Sequence, residues 1–191
     1  MLMTSLLGLS LIAPAAHSEE PPSGAAAPEE AAPVEAGGVL VGPVTREQIE
    51  PAHPSWVQAS VSAEVDAEAA RGLAAVEPGA EVIVFLGTWC GDSEREVPRL
   101  WRALDEAGGS VPFTIQYIGV DREKKQPSAP ITNYDVRFVP TFIVSRAGHE
   151  VGRIVEEAPH GVERDLLALL TGKAQGTLSA SQTGEPGPPS R

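Results

Sequence analysis

Apolar residues occur along this chain in two kinds of pattern, which predict alternating strands and helices. A continuous apolar run rich in β-branched residues stands at 82–86 and is typical of a strand buried on both faces, and residues 113–120 predict a second strand. Between them, apolar residues at intervals of three and four predict a helix over 93–107, which Gly108 and Gly109 end. The two strands are therefore expected to be parallel and joined by a helix.

Further elements are predicted on both sides of this unit, and together they define an α/β fold. They are, in chain order, a strand at 39–44, a helix at 65–75, a charged loop at 121–130, a short helix at 131–136, strands at 138–145 and 150–156, and an amphipathic helix at 162–170. The order β-α-β-α-β-α-β-β-α predicts a three-layer α/β/α architecture with a central mixed sheet.

The first residues of the chain have the pattern of an export signal. Residues 6–13 are an apolar stretch too short to span a bilayer, and the small residues Ala16 and Ser18 suit a cleavage site. We therefore predict a bacterial-type signal peptide at 1–18 and a mature protein that is periplasmic or secreted. Residues 1–4 carry no Lys or Arg, so a short N-terminal helix that belongs to the fold is the alternative.

Two segments have compositions that are typical of disorder. Residues 19–38 are mostly Ala, Pro, Glu and Gly, and residues 174–191 are rich in Ser, Gly, Pro and Thr. Such segments cannot bury enough apolar surface to offset the entropy of ordering them. We therefore predict a linker at 19–38, one folded domain at 39–173 and a disordered tail at 174–191. No apolar run after the predicted signal is long enough to cross a membrane.

The charge of the chain argues against one class of partner. The 191 residues carry a net charge of −12, and residues 39–173 contain 13 Lys and Arg against 20 Asp and Glu, a net of −7. A nucleic acid is not expected to bind a surface with that balance. We expect a monomer without a nucleic-acid partner.

The chain has a single cysteine, Cys90, between the strand at 82–86 and the following helix. An exported protein with one cysteine has no internal disulfide, so this thiol is either buried and inert or free and reactive. A helix N-terminus stabilises a thiolate through its free N–H groups and its dipole. Trp89 can shield the sulfur, Gly91 can allow a tight turn, and the hydroxyl of Ser93 can donate a hydrogen bond to the sulfur.

Each of these residues also has a purely structural interpretation. Cys90 can be a small buried hydrophobe, Ser93 can be a helix N-cap, and Trp89 can be core packing as readily as a substrate contact. The lone histidines His149 and His160 stand in turn or loop contexts and are expected to be exposed. No His pair stands at ligand spacing, so we expect neither a metal site nor a cofactor.

The sequence Trp-Cys-Gly-Asp-Ser at 89–93 resembles the Trp-Cys-Gly-Pro-Cys site of thioredoxins, with the second cysteine replaced. Residues 139–141, Val-Pro-Thr, resemble the cis-proline loop of that family, which faces the reactive cysteine. Pro98 falls eight residues after Cys90, where thioredoxins carry a helix-kinking proline. The resemblance covers about 60–171, and it implies a thioredoxin-like fold in which substrate peptides are held against Val139 by backbone hydrogen bonds.

The departures from the family pattern all concern dithiol chemistry. Ser93 replaces the resolving cysteine, Asp92 replaces the proline of the motif, and Val84 stands where the family has a buried carboxylate that assists the resolving thiol. The resemblance therefore implies a monothiol, Cys-x-x-Ser protein. The residues to which it assigns roles are, for catalysis, Cys90, Ser93 and Pro140 and, for substrate binding, Trp89, Gly91, Asp92, Val139 and Thr141.

Three functions are compatible with this site. The first is thiol–disulfide exchange, isomerisation or de-thiolation through Cys90, with proteins or low-molecular-weight thiols and disulfides as partners. The second is a redox-inactive thioredoxin-fold module that binds peptides. The third is a one-cysteine peroxidase. Two observations argue against it: no base or arginine stands in a known peroxidase motif, and Thr88 stands two residues before the cysteine, whereas the peroxiredoxin pattern has threonine three residues before it.

Overall fold

The computed structural model describes residues 34–36 and 38–182. These residues form a mixed sheet of seven strands with helices on both faces. The predicted signal peptide at 1–18, most of the predicted linker and the second half of the predicted tail lie outside the described residues.

The strands and helices alternate along most of the described chain. The strands are β1 (Val34–Ala36), β2 (Val39–Val44), β3 (Ala80–Leu86), β4 (Thr114–Gly119), β5 (Thr141–Arg146), β6 (His149–Val155) and β7 (Gly176–Leu178). The helices are α1 (Arg46–Ala52), α2 (Pro54–Ser62), α3 (Ala67–Leu73), α4 (Gly91–Glu106), α5 (Ser128–Asn133) and α6 (Val162–Leu170), followed by a 3₁₀ turn (Ala180–Gln182).

The sheet order is β1-β2-β4-β3-β5-β6-β7. Strands β3 and β4 are parallel, as the predicted strand–helix–strand order indicated, and β6 and β7 are also parallel. The other neighbouring pairs are antiparallel. The predicted central mixed sheet is therefore confirmed.

Side chains of β3 alternate between two cores. Val82 and Val84 face a large core that contains residues of α3, α4 and α6, whereas Ile83 and Phe85 face a smaller core with α5. Period-two alternation is what places successive strand residues on opposite faces of a sheet. The three-layer α/β/α architecture follows, and the prediction of it is confirmed.

The two helices α1 and α2 were not predicted. A capping box marks the start of α1, in which Thr45 accepts a hydrogen bond from the backbone N–H of Gln48 and the Gln48 side chain accepts one from the N–H of Thr45. Pro54 is the first residue of α2, where its missing N–H costs nothing. The buried Trp56 of α2 packs on Trp101 at 5.7 Å between ring centroids, so Trp101 belongs to the core as expected.

Prolines account for two shifted boundaries. Helix α5 begins at Ser128 and not at 131, because Pro130 lies in the first helical turn, where proline is tolerated. Strand β5 begins at Thr141 and not at 138, because Pro140 has no N–H to donate to a ladder.

Two short edge strands lie in segments whose composition predicted disorder. Val34–Ala36 pairs with β2, and Gly176–Leu178 pairs with β6. Backbone hydrogen bonds to a neighbouring strand do not depend on apolar side chains, so composition gave no signal for either strand.

A buried ion pair joins three helices of the larger core. The Glu163 carboxylate of α6 accepts two hydrogen bonds from the Arg99 guanidinium of α4, each 2.8 Å long. It also accepts one from the backbone N–H of Asp66, the N-cap of α3, at 2.9 Å. The carboxylate of Glu163 is completely buried, whereas the side chain of Arg99 is partly exposed.

Candidate functional site

Cys90 is the N-cap residue of α4, four residues after β3 ends at Leu86. Its backbone N–H donates to the carbonyl of Gly87 at 2.9 Å, and its own carbonyl accepts from the N–H of Glu94 at 3.0 Å. The side chain is partly buried. The predicted position of the thiol at a strand–helix junction is confirmed.

The thiol of Cys90 faces the segment before β5. Its Sγ donates a hydrogen bond to the carbonyl oxygen of Val139 at 3.3 Å. The peptide bond between Val139 and Pro140 is cis, as the resemblance implied. Two segments of the chain that are 49 residues apart thus form one site.

Ser93 does not have the hydrogen bond that we expected. Its side chain has no exposed surface, and its Oγ accepts from the backbone N–H of Gly87 at 3.1 Å. Ser93 is also not the N-cap, because Cys90 has that position. The hydroxyl therefore stabilises the turn that carries the thiol and makes no hydrogen bond to the sulfur.

Val84 is completely buried in β3, where it pairs with Tyr117 of β4 and Phe142 of β5. Dithiol thioredoxins have a carboxylate at this position, whereas here the position belongs to the apolar core. A proton acceptor for a second thiol is absent at that strand position.

Trp89 packs against the same turn and is partly buried. Its Nε1 donates to the carbonyl of Val120 at 2.9 Å. A Cβ atom at Gly87 would lie 2.7 Å from the indole ring, so only glycine leaves room for this packing. The two interpretations of Trp89 are compatible, since one part of the ring packs and another part faces solvent.

Two cations lie over the indole of Trp89, and the only sequence signal for them was a charged loop. Arg122 Cζ is 5.7 Å and Lys124 Nζ is 5.8 Å from the ring centroid. These distances are within the range of cation–π interactions.

The remaining predicted residues have different surroundings. Gly91 is exposed, is not among the positive-φ glycines, and a Cβ there would meet no atom, so the turn does not require glycine. Asp92 accepts from Arg95 of the same helix at 3.0 Å. Thr141 is buried, and its Oγ1 donates to the carbonyl of Phe138 at 2.8 Å. These contacts fix the cis-proline loop and the first turn of α4.

Phe138 and Thr88 were missed by the sequence analysis. Phe138 stands beside Val139 with 50% of its surface exposed, which is unusual for a large apolar side chain. The hydroxyl of Thr88 accepts from the backbone N–H of Leu40 at 3.2 Å and joins β2 to the site turn. No periodic pattern distinguishes either residue in the sequence.

Glu96 is a buried carboxylate on the helix that begins at Cys90. Burial raises its pKa above the ordinary value of 4.5, and the hydrogen bond from Arg95 at 3.0 Å only partly opposes this effect. A carboxyl group with a raised pKa in the folded state contributes stability that is present below the unfolded pKa and lost as the pH rises.

We expect Glu96→Gln to stabilise the protein at neutral pH, because it removes a buried charge and keeps a hydrogen-bond acceptor for Arg95. The melting temperature should rise by a few degrees at pH 7, and the difference should disappear below about pH 4.5. Thermal unfolding at both pH values measures this. A lower melting temperature for the variant at pH 7 would show that the ion pair outweighs the cost of burial.

The described chain provides neither a metal centre nor a spanning helix. Within residues 38–182, no three His, Cys, Asp or Glu side chains form a group that could hold a metal ion. In the same range, every helix is too short or too polar to traverse a bilayer. A groove of about 670 Å³ lies beside α5, lined by residues such as Pro43, Ile118 and Tyr134, and none of the predicted site residues lines it.

Comparison with known proteins finds sequence relatives among thioredoxins. A thioredoxin-like protein of Acanthamoeba polyphaga mimivirus is 26% identical over 89 residues, which cover 47% of this chain and 61% of the viral protein. A thioredoxin of Staphylococcus epidermidis is 27% identical over 84 residues, which cover 44% of this chain and 75% of the bacterial protein. No family model matches the chain.

Solved structures with a similar backbone are more distant. A Pseudomonas aeruginosa protein of unknown function is 13% identical with a TM-score of 0.49, over 69% of this chain and 99% of that protein. An HIV epitope scaffold is 14% identical with a TM-score of 0.48, over 63% of this chain and 85% of the scaffold. The fold assignment rests instead on the sheet, the site and the sequence relatives. The chain has a thioredoxin-like fold, and its sequence is similar to those of thioredoxins.

Proposed function

We propose that the protein is an exported monothiol that exchanges disulfides through Cys90. One observation carries this proposal: the only thiol of the chain lies at the start of α4, 3.3 Å from the carbonyl of Val139 in a cis-proline loop. The similarity to thioredoxins supports a thiol–disulfide function. The export signal predicted at 1–18 supports action in the periplasm or outside the cell.

The exchange step needs only the Cys90 thiolate and a partner disulfide. The thiolate sulfur attacks one sulfur of the partner, a new S–S bond to Cys90 forms, and the partner S–S bond breaks. The other partner sulfur leaves as a thiolate and takes up a proton. Cys90 is oxidised and the leaving sulfur is reduced, so the step needs no further oxidant or reductant.

The mixed disulfide that results has a long lifetime in this proposal. No second cysteine exists in the chain to attack it, and Ser93 and Val84 replace the groups of a dithiol mechanism. An outside thiol, from the client or from a small molecule, releases the client. Such chemistry suits disulfide isomerisation and de-thiolation better than net reduction.

The cis-proline loop is the proposed binding surface for the client. Phe138 offers an exposed apolar ring next to Val139, and the hydrogen bond from Thr141 to the Phe138 carbonyl fixes the loop. The face of Trp89 lies on the other segment of the site. A peptide extended between the two segments would bring its disulfide to Cys90.

Glutathione disulfide is the probe that would test the proposal. The folded protein should gain one glutathione, seen in its intact mass and removed by reductant, and Cys90→Ala should gain none. The adduct should persist once excess disulfide is removed, because no internal thiol resolves it.

A relocated thiol provides the matched control. In Cys90→Ala/Ser110→Cys the only thiol stands at an exposed loop position, away from any helix start. The native site should react several-fold faster than this control and than the urea-unfolded chain at equal pH. Equal rates in all three would contradict the proposal.

A second function, peptide binding without redox chemistry, is favoured by the exposed ring of Phe138. In that case Cys90→Ala should bind an unfolded peptide as tightly as the native protein does. Isothermal titration calorimetry with the peptide measures the affinity of both. Phe138→Ser should weaken binding in either function, because it removes an apolar contact.

A further inference from the structure

The cations over Trp89 differ from most of the other cations in the described chain. Arg122 and Lys124 form no ion pair with any carboxylate of the described residues, and neither does Lys125 beside them. Seven of the described arginines lie within 4.0 Å of a carboxylate; they are Arg46, Arg95, Arg99, Arg102, Arg137, Arg153 and Arg164. Unpaired positive charge is therefore present beside the thiol of a chain whose net charge is −12.

The loop that carries these cations has a defined backbone. The Asp121 carboxylate accepts hydrogen bonds from the N–H groups of Lys125 at 2.6 Å and Gln126 at 3.0 Å. The N–H of Asp121 in turn donates to the carbonyl of Gln126 at 3.1 Å. Asp121 is thus engaged with backbone amides. Glu123 is the other carboxylate of the loop, and it is exposed.

The loop is attached directly to the site. The carbonyl of Val120, which precedes the loop, accepts the hydrogen bond from Trp89 Nε1 at 2.9 Å. Trp89 is the residue before Cys90. On the helix side of the thiol, Asp92 and Glu157 lie within 4.0 Å of Arg95, so their charges are paired. Glu94 is the remaining carboxylate of the first turn of α4.

We infer that Arg122 and Lys124 select disulfides whose half-cystine is flanked by acidic residues. This inference rests on the exchange reaction proposed above and names its substrate class. An extended peptide with its sulfur at Cys90 would bring neighbouring carboxylates towards the two cations. Opposite charges at a partly exposed surface increase the rate of encounter, and salt screens the effect.

Two properties of Arg122 and Lys124 favour an acidic peptide: their charge and their restricted conformational freedom. The two cations lie on an aromatic face and are held by the ring, so they lose less conformational freedom when a carboxylate binds. A basic peptide would meet the same cations with repulsion. Selection of this kind acts through the rate of mixed-disulfide formation, because the chemistry at the sulfur is the same for all peptides.

The test uses three peptides that carry one cysteine as its 2-thiopyridyl disulfide, flanked by acidic, neutral or basic residues. Attack by Cys90 forms the protein–peptide disulfide and releases 2-thiopyridone, which is followed by absorbance. Each rate is divided by the rate of 2-mercaptoethanol with the same peptide, which removes differences in peptide reactivity. The acidic peptide should exceed the basic one by about tenfold at low salt, and the ratio should approach one at high salt.

Charge-removing variants assign the effect to the two cations. Arg122→Gln/Lys124→Gln should lose most of the preference for the acidic over the basic peptide. Arg71→Gln/Lys173→Gln, which removes two cations that have no carboxylate partner among the described residues, should retain it. Circular dichroism checks that both variants fold. If one variant does not fold, the salt dependence of the rate ratio of the native protein still tests the inference. Equal rates for the three peptides would overturn the inference alone. No reaction with any peptide would overturn the exchange function and the inference with it.

Discussion

Ser93→Cys should shorten the lifetime of a mixed disulfide at Cys90 by at least about a hundredfold when the outside thiol is micromolar. Side chains three positions apart at a helix start lie on the same side of it, and Cys90 is the N-cap of α4 while Ser93 lies in its first turn. The introduced thiol then acts at an effective concentration in the millimolar range or above. It attacks Cys90 Sγ, an internal disulfide forms, and the client leaves as a thiol.

The lifetime is measured by the intact mass of the purified adduct over time. Ser93→Ala is the matched control, since it also loses the hydrogen bond from Gly87 N–H but adds no thiol. That variant should keep the long lifetime and lose about 1 kcal/mol of unfolding free energy. If Ser93→Cys released the client no faster than Ser93→Ala, the two positions would not share a face as described.

Glu163→Ala should lower the free energy of unfolding by about 3 kcal/mol, a large fraction of the stability of an ordinary domain. The variant leaves the Arg99 guanidinium and the N–H of Asp66 without their common acceptor. The side chain of Arg99 retains 32% exposure, so water compensates for part of the loss. Urea unfolding followed by circular dichroism gives the difference.

A neighbouring charge on the same helix provides the comparison. Arg164→Ala removes the exposed ion pair with Asp66, and solvent screening makes its effect much smaller. If both variants lost the same stability, the buried position of Glu163 would have no special importance.

The stability contributed by Glu163 should depend on pH in a defined direction. Burial raises the pKa of this carboxyl group, but the hydrogen bonds from Arg99 and from the Asp66 N–H lower it more, so the net pKa is below 4.5. A group with a lowered pKa contributes stability above its unfolded pKa and loses it as the pH falls through its folded pKa. The difference between the native protein and Glu163→Gln should therefore shrink in acid below about pH 4.5, the reverse of the dependence expected for Glu96.

The position of Cys90 could be predicted because it depends on local order along the chain. An apolar run predicts β3, a periodic pattern predicts α4, and the cysteine stands between them. The hydrogen bond of Ser93 could not be predicted, because Gly87 N–H competes with the sulfur for the hydroxyl only once the turn is folded. Phe138 gave no signal for a related reason, since exposure of one apolar residue depends on what packs beside it.

The missed helices show a different limit. Thr45 and Gln48 stand at capping-box spacing, and this signal in the sequence could have indicated α1. The cations over Trp89 had no such signal, because the loop conformation that brings Arg122 and Lys124 onto the ring depends on the backbone hydrogen bonds of Asp121.

The two outermost strands, β1 and β7, have three residues each. Short edge strands offer few free backbone groups, which limits unwanted pairing between the sheets of two molecules. A fragment cut to residues 39–173 would lack both of them and would expose β2 and β6. Pro43 interrupts the hydrogen-bonding edge of β2. Strand β6 has seven residues without proline, so its free backbone groups could pair with a strand of another molecule. Segments that looked dispensable by composition therefore include residues that cover β2 and β6, and we expect the 39–173 fragment to aggregate more readily than the full chain.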